Sequence, residues 1–177
     1  MIRVRSARPE DGPRLREIER AAGEAFRTVG LASVADDAPP PAAELAAYAV
    51  GGRSWVAADD ADLPVAYVLV DEVDGNAHVA QISVLPGSQG EGVGRALLER
   101  VRAWAVAAGW PAMTLTTFRE VPWNRPLYEH LGFVVLPDEE IGPELRTVVA
   151  RESDRGLDAA DRVCMRVSTA VSLVGGP

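Results

Sequence analysis

The spacing of apolar positions predicts a chain in which strands and helices alternate. Short apolar runs, alternating or continuous, are typical of strands, and apolar positions three and four apart are typical of helices with one buried face. Strands are predicted at 2–5, 54–58, 64–72, 78–85, 113–118, 133–136 and 162–168. Helices are predicted at 9–26, 42–50, 93–108, 121–131 and 143–155. This order predicts an α/β protein built on a mixed sheet.

Turn-forming residues separate these elements. Asp74-Gly75-Asn76 predicts a hairpin turn between two strands, because such residues tolerate the positive φ angles of tight hairpins. Residues 29–41 are predicted as a loop that ends in three prolines. The chain has 177 residues, which is the size of one domain with a sizeable core. We therefore predict one domain at 1–169 and a disordered tail at 170–177.

Composition and charge narrow the class of protein. A net charge of −8 argues against a nucleic-acid partner, because phosphate contacts need clustered lysines and arginines. No apolar run is long enough to cross a membrane, and the first residues lack the apolar core of a signal peptide. The only cysteine, Cys164, lies among alternating apolar residues and is predicted to be core, which suits a cytoplasmic protein. Histidines and carboxylates show no metal-ligand spacing, so no metal is expected.

The strongest motif runs from Gln89 to Arg95, between the predicted strand at 78–85 and the predicted helix at 93–108. It contains three glycines in the sequence QGEGVGR. Glycine allows positive φ angles and a close approach of the backbone, and a helix N-terminus presents unpaired N–H groups and a positive dipole end. This arrangement predicts a cradle for an anion, most often a phosphate.

The spacing of the glycines separates several phosphate-binding families. A P-loop needs Lys and Ser or Thr after its last glycine, and no lysine follows Gly94. A dinucleotide-binding fold needs GxGxxG after the first strand and an acidic residue about 20 positions later, whereas the glycines here read GxGxG. A nucleotide-binding regulatory domain would need such an acidic ribose contact, and none can be assigned.

The pattern that fits is Q-x-x-G-x-G, with Gln89, Gly92 and Gly94. It resembles the pyrophosphate-binding motif of the GCN5-related N-acetyltransferase (GNAT) family, which binds acetyl-coenzyme A. A second segment, Tyr128 to Phe133, reads YEHLGF and resembles the family's Y-x-x-x-G-F. The resemblance extends through nearly the whole chain. It implies a mixed, mostly antiparallel sheet flanked by helices, with splayed central strands.

The resemblance also implies how the acetyl donor, acetyl-CoA, would be held. Backbone groups near Ile82 and Val84 would pair with the pantetheine arm, and the N–H groups of the glycine turn would hold the pyrophosphate. Asn124 is open to two interpretations, as the N-cap of the helix that carries Tyr128 or as a cofactor contact. The family's asparagine more often stands seven positions before the tyrosine, where this chain has Val121. The implied cofactor-binding residues are Ile82, Val84, Gln89, Gly90, Glu91, Gly92, Val93, Gly94, Arg95 and Asn124.

Two residues carry the implied catalytic roles. Tyr128 matches the family's usual general acid, whose phenol protonates the leaving thiolate. His78 lies eleven residues before Gln89, where histone-acetylating members have a glutamate and arylalkylamine-acetylating members a histidine, each serving as the base. A histidine titrates near neutral pH, which suits that role. Half-buried packing for Tyr128 and a surface position for His78 are the competing interpretations.

The sequence says less about the acceptor of the acetyl group than about the donor. The resemblance directs the first helices and their loop toward it, and aromatic residues with a carboxylate would suit an amine. The candidates are Phe26, Arg27, Trp55, Glu72 and Trp123, each of which could equally be packing or surface. We expect an N-acetyltransferase that acetylates a primary amine of a small molecule or a peptide N-terminus by direct attack. The alternative is a catalytically silent acyl-CoA-binding regulatory module. A homodimer is left open, since many members of the family are dimers.

Overall fold

A computed structural model describes residues 2–170 and residue 173. In this part of the chain seven strands form one sheet: β1 (Arg3–Ser6), β2 (Ser54–Ala58), β3 (Pro64–Val73), β4 (Asn76–Val84), β5 (Ala112–Phe118), β6 (Val134–Val135) and β7 (Arg162–Ser168). The α-helices are α1 (Gly12–Gly23), α2 (Ala32–Ala35), α3 (Ala42–Val50), α4 (Val93–Ala107), α5 (Arg125–His130) and α6 (Pro143–Asp154). Short 3₁₀ turns lie at Pro9–Asp11, Glu24–Val29, Pro86–Ser88, Asp138–Glu140 and Ala159–Asp161.

The strand order in the sheet is β1-β2-β3-β4-β5-β7-β6. The β1–β2, β2–β3, β5–β7 and β6–β7 pairs are antiparallel. β4 pairs in parallel with β5, with His78 opposite Thr114. Parallel neighbours need a crossover, and α4 supplies it. The predicted fold class, a mixed and mostly antiparallel sheet flanked by helices, is confirmed.

The chain divides into two compact units. Unit one comprises Met1–Val70 and Ala80–Arg100, and unit two comprises Asp71–Val79 and Val101–Pro177. The strands β3 and β4 and the helix α4 each contribute residues to both units. The single domain at 1–169 stays a prediction. Most of the predicted tail lies outside the described residues, although Leu173 within it is described and is buried.

Unit one is built around the apolar face of α1. Leu15 and Ile18 lie one turn apart on this helix and are almost fully buried. They pack with residues of the sheet and of α3, namely Ala7, Leu45, Val56, Tyr67 and Leu69. The predicted helix at 9–26 is divided into three parts, since 3₁₀ turns precede and follow α1. Phe26 therefore lies in the second 3₁₀ turn and is half-buried.

Unit two has a smaller core beneath α6. Leu145 is buried, and Val148 and Val149 pack beside it on the same helix face. They meet Val73, Leu136 and Cys164. The prediction that Cys164 is core is confirmed, and burial raises the pKa of its thiol to about 11. A thiol in this environment is protonated and unreactive at neutral pH.

Two predicted elements differ from those observed. The helix predicted at 121–131 forms only at Arg125–His130. Pro122 disfavours the helical region for the residue before it, and Asn124 adopts φ −99° and ψ −93°, so no helix can begin earlier. The loop predicted at 29–41 contains one helical turn, α2. Apart from the divided helix at 9–26, every other predicted element is present, and none of its ends is shifted by more than two residues.

Candidate functional site

The glycine turn lies in unit one and leads directly into α4. Gly90 and Gly92 have φ angles of +80° and +75°, a region that residues with a side chain rarely adopt. A Cβ atom at either position would meet no protein atom within 4 Å. These glycines are therefore needed for the backbone path of the turn, and the space above them is open to a ligand.

The start of α4 supplies the donors for this space. Helical hydrogen bonding begins at Ala96, whose N–H donates to the Gly92 carbonyl at 3.0 Å. The N–H groups of Val93 and Gly94 precede that bond and belong to the first turn, which has no acceptor inside the helix. Four turns of helix follow, so the dipole adds to the attraction for an anion. The predicted phosphate cradle has the backbone geometry that such a site needs.

The end of β4 holds the glycine turn in place. The Gln89 amide donates to the Val84 carbonyl at 3.4 Å, so this side chain braces the turn. A Cβ atom added at Gly94 would lie 3.7 Å from the Val84 side chain, which shows how closely α4 approaches the strand. Glu91 and Arg95 are exposed, Val93 is buried, and Ile82 is half-buried. In unit two, Asn124 precedes α5 as predicted for an N-cap, but its side chain makes no cap hydrogen bond.

His78 lies in unit two and is 2% exposed, so the surface interpretation is wrong. Its Nδ1 is 3.0 Å from the Thr114 hydroxyl on the neighbouring strand. Burial lowers the pKa of His78 below its ordinary value, and Arg162 acts in the same direction. Glu152 and Asp71 oppose this shift. The imidazole is therefore neutral at pH 7 and has a nitrogen lone pair that can accept a proton.

Tyr128 also lies in unit two, on α5, and is half-buried. Gly132 has a φ angle of +91°, which turns the chain at the end of α5. Phe133 then returns, and its N–H donates to the Tyr128 carbonyl at 3.0 Å. The two rings meet edge to face at 5.8 Å. Burial raises the pKa of Tyr128 to about 12, although Arg162 opposes this, so the phenol keeps its proton at neutral pH.

The family comparison covers the central part of the chain. Residues 51–135 match the family model described as an acetyltransferase (GNAT) domain. The match to this family covers 85 of the 177 residues. The matched stretch contains the glycine turn, His78 and Tyr128, and the match confirms the resemblance found in the sequence. The GNAT domain indicates an acyltransferase that uses acetyl-CoA.

Solved structures of GNAT acetyltransferases have the same fold. The ribosomal-protein-S18-alanine N-acetyltransferase of Escherichia coli is 21% identical, with a TM-score of 0.65, over 99% of this chain and 97% of that one. The PaiA N-acetyltransferase of Thermoplasma acidophilum, in complex with coenzyme A, is 14% identical, with a TM-score of 0.71, over 95% and 99%. A GNAT acetyltransferase of Brucella melitensis, in complex with acetyl-CoA, is 24% identical, with a TM-score of 0.56, over 81% and 90%.

The predicted acceptor residues are spread over both units of the fold. In unit one, Trp55 is buried, and its ring lies 5.3 Å from the Arg100 guanidinium. Arg27 is ion-paired with Glu24 and Asp36. In unit two, Glu72 and Trp123 are exposed. Trp55 therefore has a packing role in this structure.

Sequence reasoning missed a polar cluster in unit two. The Thr116 hydroxyl donates to Glu152 Oε1 at 2.5 Å, and Arg162 Nη2 lies 3.0 Å from that hydroxyl and 3.1 Å from the same carboxylate oxygen. Thr114 and Thr116 are two residues apart on β5, so their side chains lie on the same face of the sheet. Because Thr114 is the partner of His78, the cluster is a neighbour of His78. One signal in the sequence could have found it. Glu152 continues the spacing of Leu145, Val148 and Val149, which places a carboxylate on the apolar face of α6.

A second polar cluster, in unit one, explains Gln81. The Glu19 carboxylate on α1 accepts hydrogen bonds from Tyr67, Gln81 and Ser83, at 2.5 to 3.1 Å. Tyr67 and Ser83 are buried. Every donor of this cluster is satisfied, so it fastens α1 to β3 and β4.

Among residues 2–170 and 173, no three histidines, cysteines or carboxylates lie together in a way that could hold a metal ion. Within the same residues, no helix is long and apolar enough to cross a bilayer.

Proposed function

We propose that this protein transfers the acetyl group of acetyl-CoA to a primary amine, and that the pyrophosphate binds on the turn from Gly90 to Arg95. The observation that carries the proposal is the glycine turn itself. Two glycines with positive φ angles precede a long helix, and among residues 2–170 and 173 no atom lies within 4 Å of a Cβ added at either glycine. This turn lies inside the GNAT domain, a domain of acetyltransferases.

The reaction has three chemical requirements. The amine must lose a proton to expose its lone pair, its nitrogen must attack the thioester carbonyl, and the leaving thiolate must gain a proton. The C–N bond forms as the C–S bond breaks, so the products are an amide and a free thiol. One proton is removed from the amine and one is supplied to sulfur. A base and an acid in opposite protonation states meet both needs.

His78 and Tyr128 have these protonation states at neutral pH. The lowered pKa of His78 leaves the imidazole neutral, so it accepts the amine proton directly or through a water. The raised pKa of Tyr128 keeps the phenol protonated, so it donates to the thiolate. Arg162 lowers the pKa of both groups, because a positive charge disfavours the imidazolium and favours the phenolate. One cation in unit two thus acts on both residues.

The acceptor belongs to the class of primary amines, either a small molecule or a peptide N-terminus. The fold is shared with an enzyme that is named as a ribosomal-protein-S18-alanine N-acetyltransferase. A cytoplasmic location and a homodimer stay predictions from the sequence.

The experiment is a measurement of thiol release from acetyl-CoA with a panel of amines: butylamine, phenethylamine, spermidine, alaninamide and short peptides. We expect at least one amine to raise the rate above that of acetyl-CoA alone, in proportion to enzyme concentration. Calorimetric binding of acetyl-CoA without any amine-dependent thiol release would favour the silent acyl-CoA-binding module instead. Absence of both binding and release would contradict the proposed function entirely.

A further inference from the structure

The cluster of Thr116, Glu152 and Arg162 contains two buried polar atoms with no partner among the described residues. They are Glu152 Oε2 and Arg162 Nε. The two side chains are only 20% and 10% exposed. Buried charged groups almost always have their hydrogen-bonding atoms satisfied, because an unpaired one is costly. Within the described part of the chain, Glu152 Oε2 of this ion pair is an acceptor without a donor and Arg162 Nε is a donor without an acceptor. A ligand that has both a donor and an acceptor would satisfy the two atoms.

The surroundings of the cluster connect it to catalysis. Thr116 shares a face of β5 with Thr114, whose hydroxyl bonds to His78. Glu152 and Arg162 both act electrostatically on His78, and Arg162 also acts on Tyr128. The cluster thus lies beside the proposed base on β5, and the charge of Arg162 also acts on the proposed acid. A group bound there would be close to the residues that must handle the amine proton.

A cavity lies near the cluster and shares Thr114 with the surroundings of His78. A cavity of about 200 Å³ in unit two is lined by Thr114, Asp74, Asn76, Glu140 and Arg166, with Leu136 and Leu145 among its apolar walls. Glu152 lies in the last turn of α6, close to the helix end at Asp154.

We propose that Glu152 binds the ammonium group of the amine acceptor, and that Arg162 Nε donates to a carbonyl oxygen beside that ammonium. Thr116 and Arg162 Nη2 hold the other carboxylate oxygen and so orient Glu152. The acceptor is then an α-amino amide, such as a peptide N-terminus, because this group has an ammonium and a carbonyl two bonds apart. This inference rests on the proposed function and names the acceptor class of that site.

The test uses alaninamide, which has both groups, and butylamine, which has only the ammonium. The chain contains two histidines, so the Cε1 protons of buried His78 and exposed His130 give two proton NMR signals, of which the His130 signal is an internal reference. Alaninamide should shift the His78 signal in the parent protein and leave the His130 signal in place. Glu152→Gln should weaken this binding about tenfold or more, the loss expected for a charge-assisted hydrogen bond.

Two further variants control for a structural effect. Asp138→Asn neutralises an exposed carboxylate that pairs with Arg146 at 3.1 Å in the same unit and does not line the cavity, and it should bind alaninamide like the parent. Arg162→Lys keeps the charge but removes Nε, so this variant should bind alaninamide no more tightly than butylamine. Thermal unfolding of each variant verifies that it is folded at the temperature of the titration.

The outcomes separate this inference from the proposed function. If Glu152→Gln is folded and binds alaninamide as tightly as the parent, or if alaninamide leaves His78 unshifted in the parent, the inference is overturned. If Glu152→Gln also retains the parent's KM for an amine that the enzyme acetylates, the proposed function stands without the inferred role of Glu152. If alaninamide binds through Glu152 but the parent releases no thiol with any amine, the amine site stands and the acetyl-transfer function fails.

Discussion

The surroundings of half-buried Tyr128 keep its phenol protonated, as a general acid requires. Its proton is retained because burial disfavours the phenolate, and the ring is fixed by its edge-to-face contact with Phe133. Tyr128→Phe should lower turnover about 100-fold, the usual contribution of a general acid, and leave acetyl-CoA affinity unchanged. Steady-state rates with an accepted amine measure this. The control is Tyr48→Phe, which removes a hydroxyl in unit one, and equal rates for all three proteins would refute the role of Tyr128.

The lowered pKa of His78 predicts how the reaction rate depends on pH. Its lowered pKa means that the neutral base persists below the ordinary value of about 6.5, so the rate should fall only as the pH drops through this lowered value. Glu152, Asp71 and Arg162 are the charged groups that act on it. His78→Gln should remove this acidic limb and slow the reaction most near pH 7, while His130→Gln should keep the parent profile. Superimposable profiles for His78→Gln and the parent would exclude His78 as the base.

At the scale of elements, the glycine turn and α4 form the proposed cradle. Gly92→Val should weaken acetyl-CoA binding by about 2 kcal/mol or more, because a side chain would occupy the phosphate position. The matched control is Gly52→Val, since Gly52 also has a positive φ angle, +67°, and open space around it. Both variants carry the same backbone strain, but only Gly92→Val should change the calorimetric affinity. Equal affinities would show that the pyrophosphate binds elsewhere.

The ion pairs of Arg5, between β1 and the start of α1, predict how the stability of the fold depends on pH. Arg5 is paired with Asp11 and Asp62, and these contacts hold the pKa of both carboxyl groups below the usual range. Their stabilising effect is complete above the unfolded pKa of about 3.9 and is lost as the pH falls through the lowered values. Arg5→Gln should therefore unfold at a lower temperature at pH 7 and lose less on acidification. Melting curves between about pH 2 and 7 test this, with exposed Arg146→Gln as the control for a weak surface pair.

At the scale of the whole molecule, the sequence predicted the elements whose ends are marked locally. The strands at 54–58 and 162–168 and the helix at 42–50 have the predicted bounds. The helix before Gly132 is shorter than predicted, because the effect of Pro122 and of the Asn124 conformation outweighed the apolar pattern. The burial of His78 and the Glu152–Arg162 cluster depend on contacts between residues distant in sequence. The spacing along α6 could place Glu152 on an apolar face, but no local pattern identifies Arg162, Thr116 or His78 as its neighbours, so the catalytic environment required the structure.

The most direct measurement is product analysis by mass spectrometry after incubation of the protein with acetyl-CoA and an amine. Acetyl transfer predicts one N-acetylated amine for each molecule of coenzyme A thiol released, with little of either product from Tyr128→Phe. Thiol release without acetylated amine would mean hydrolysis of the thioester instead. That result, or unchanged amine and acetyl-CoA across the whole panel, would contradict acetyl transfer to an amine.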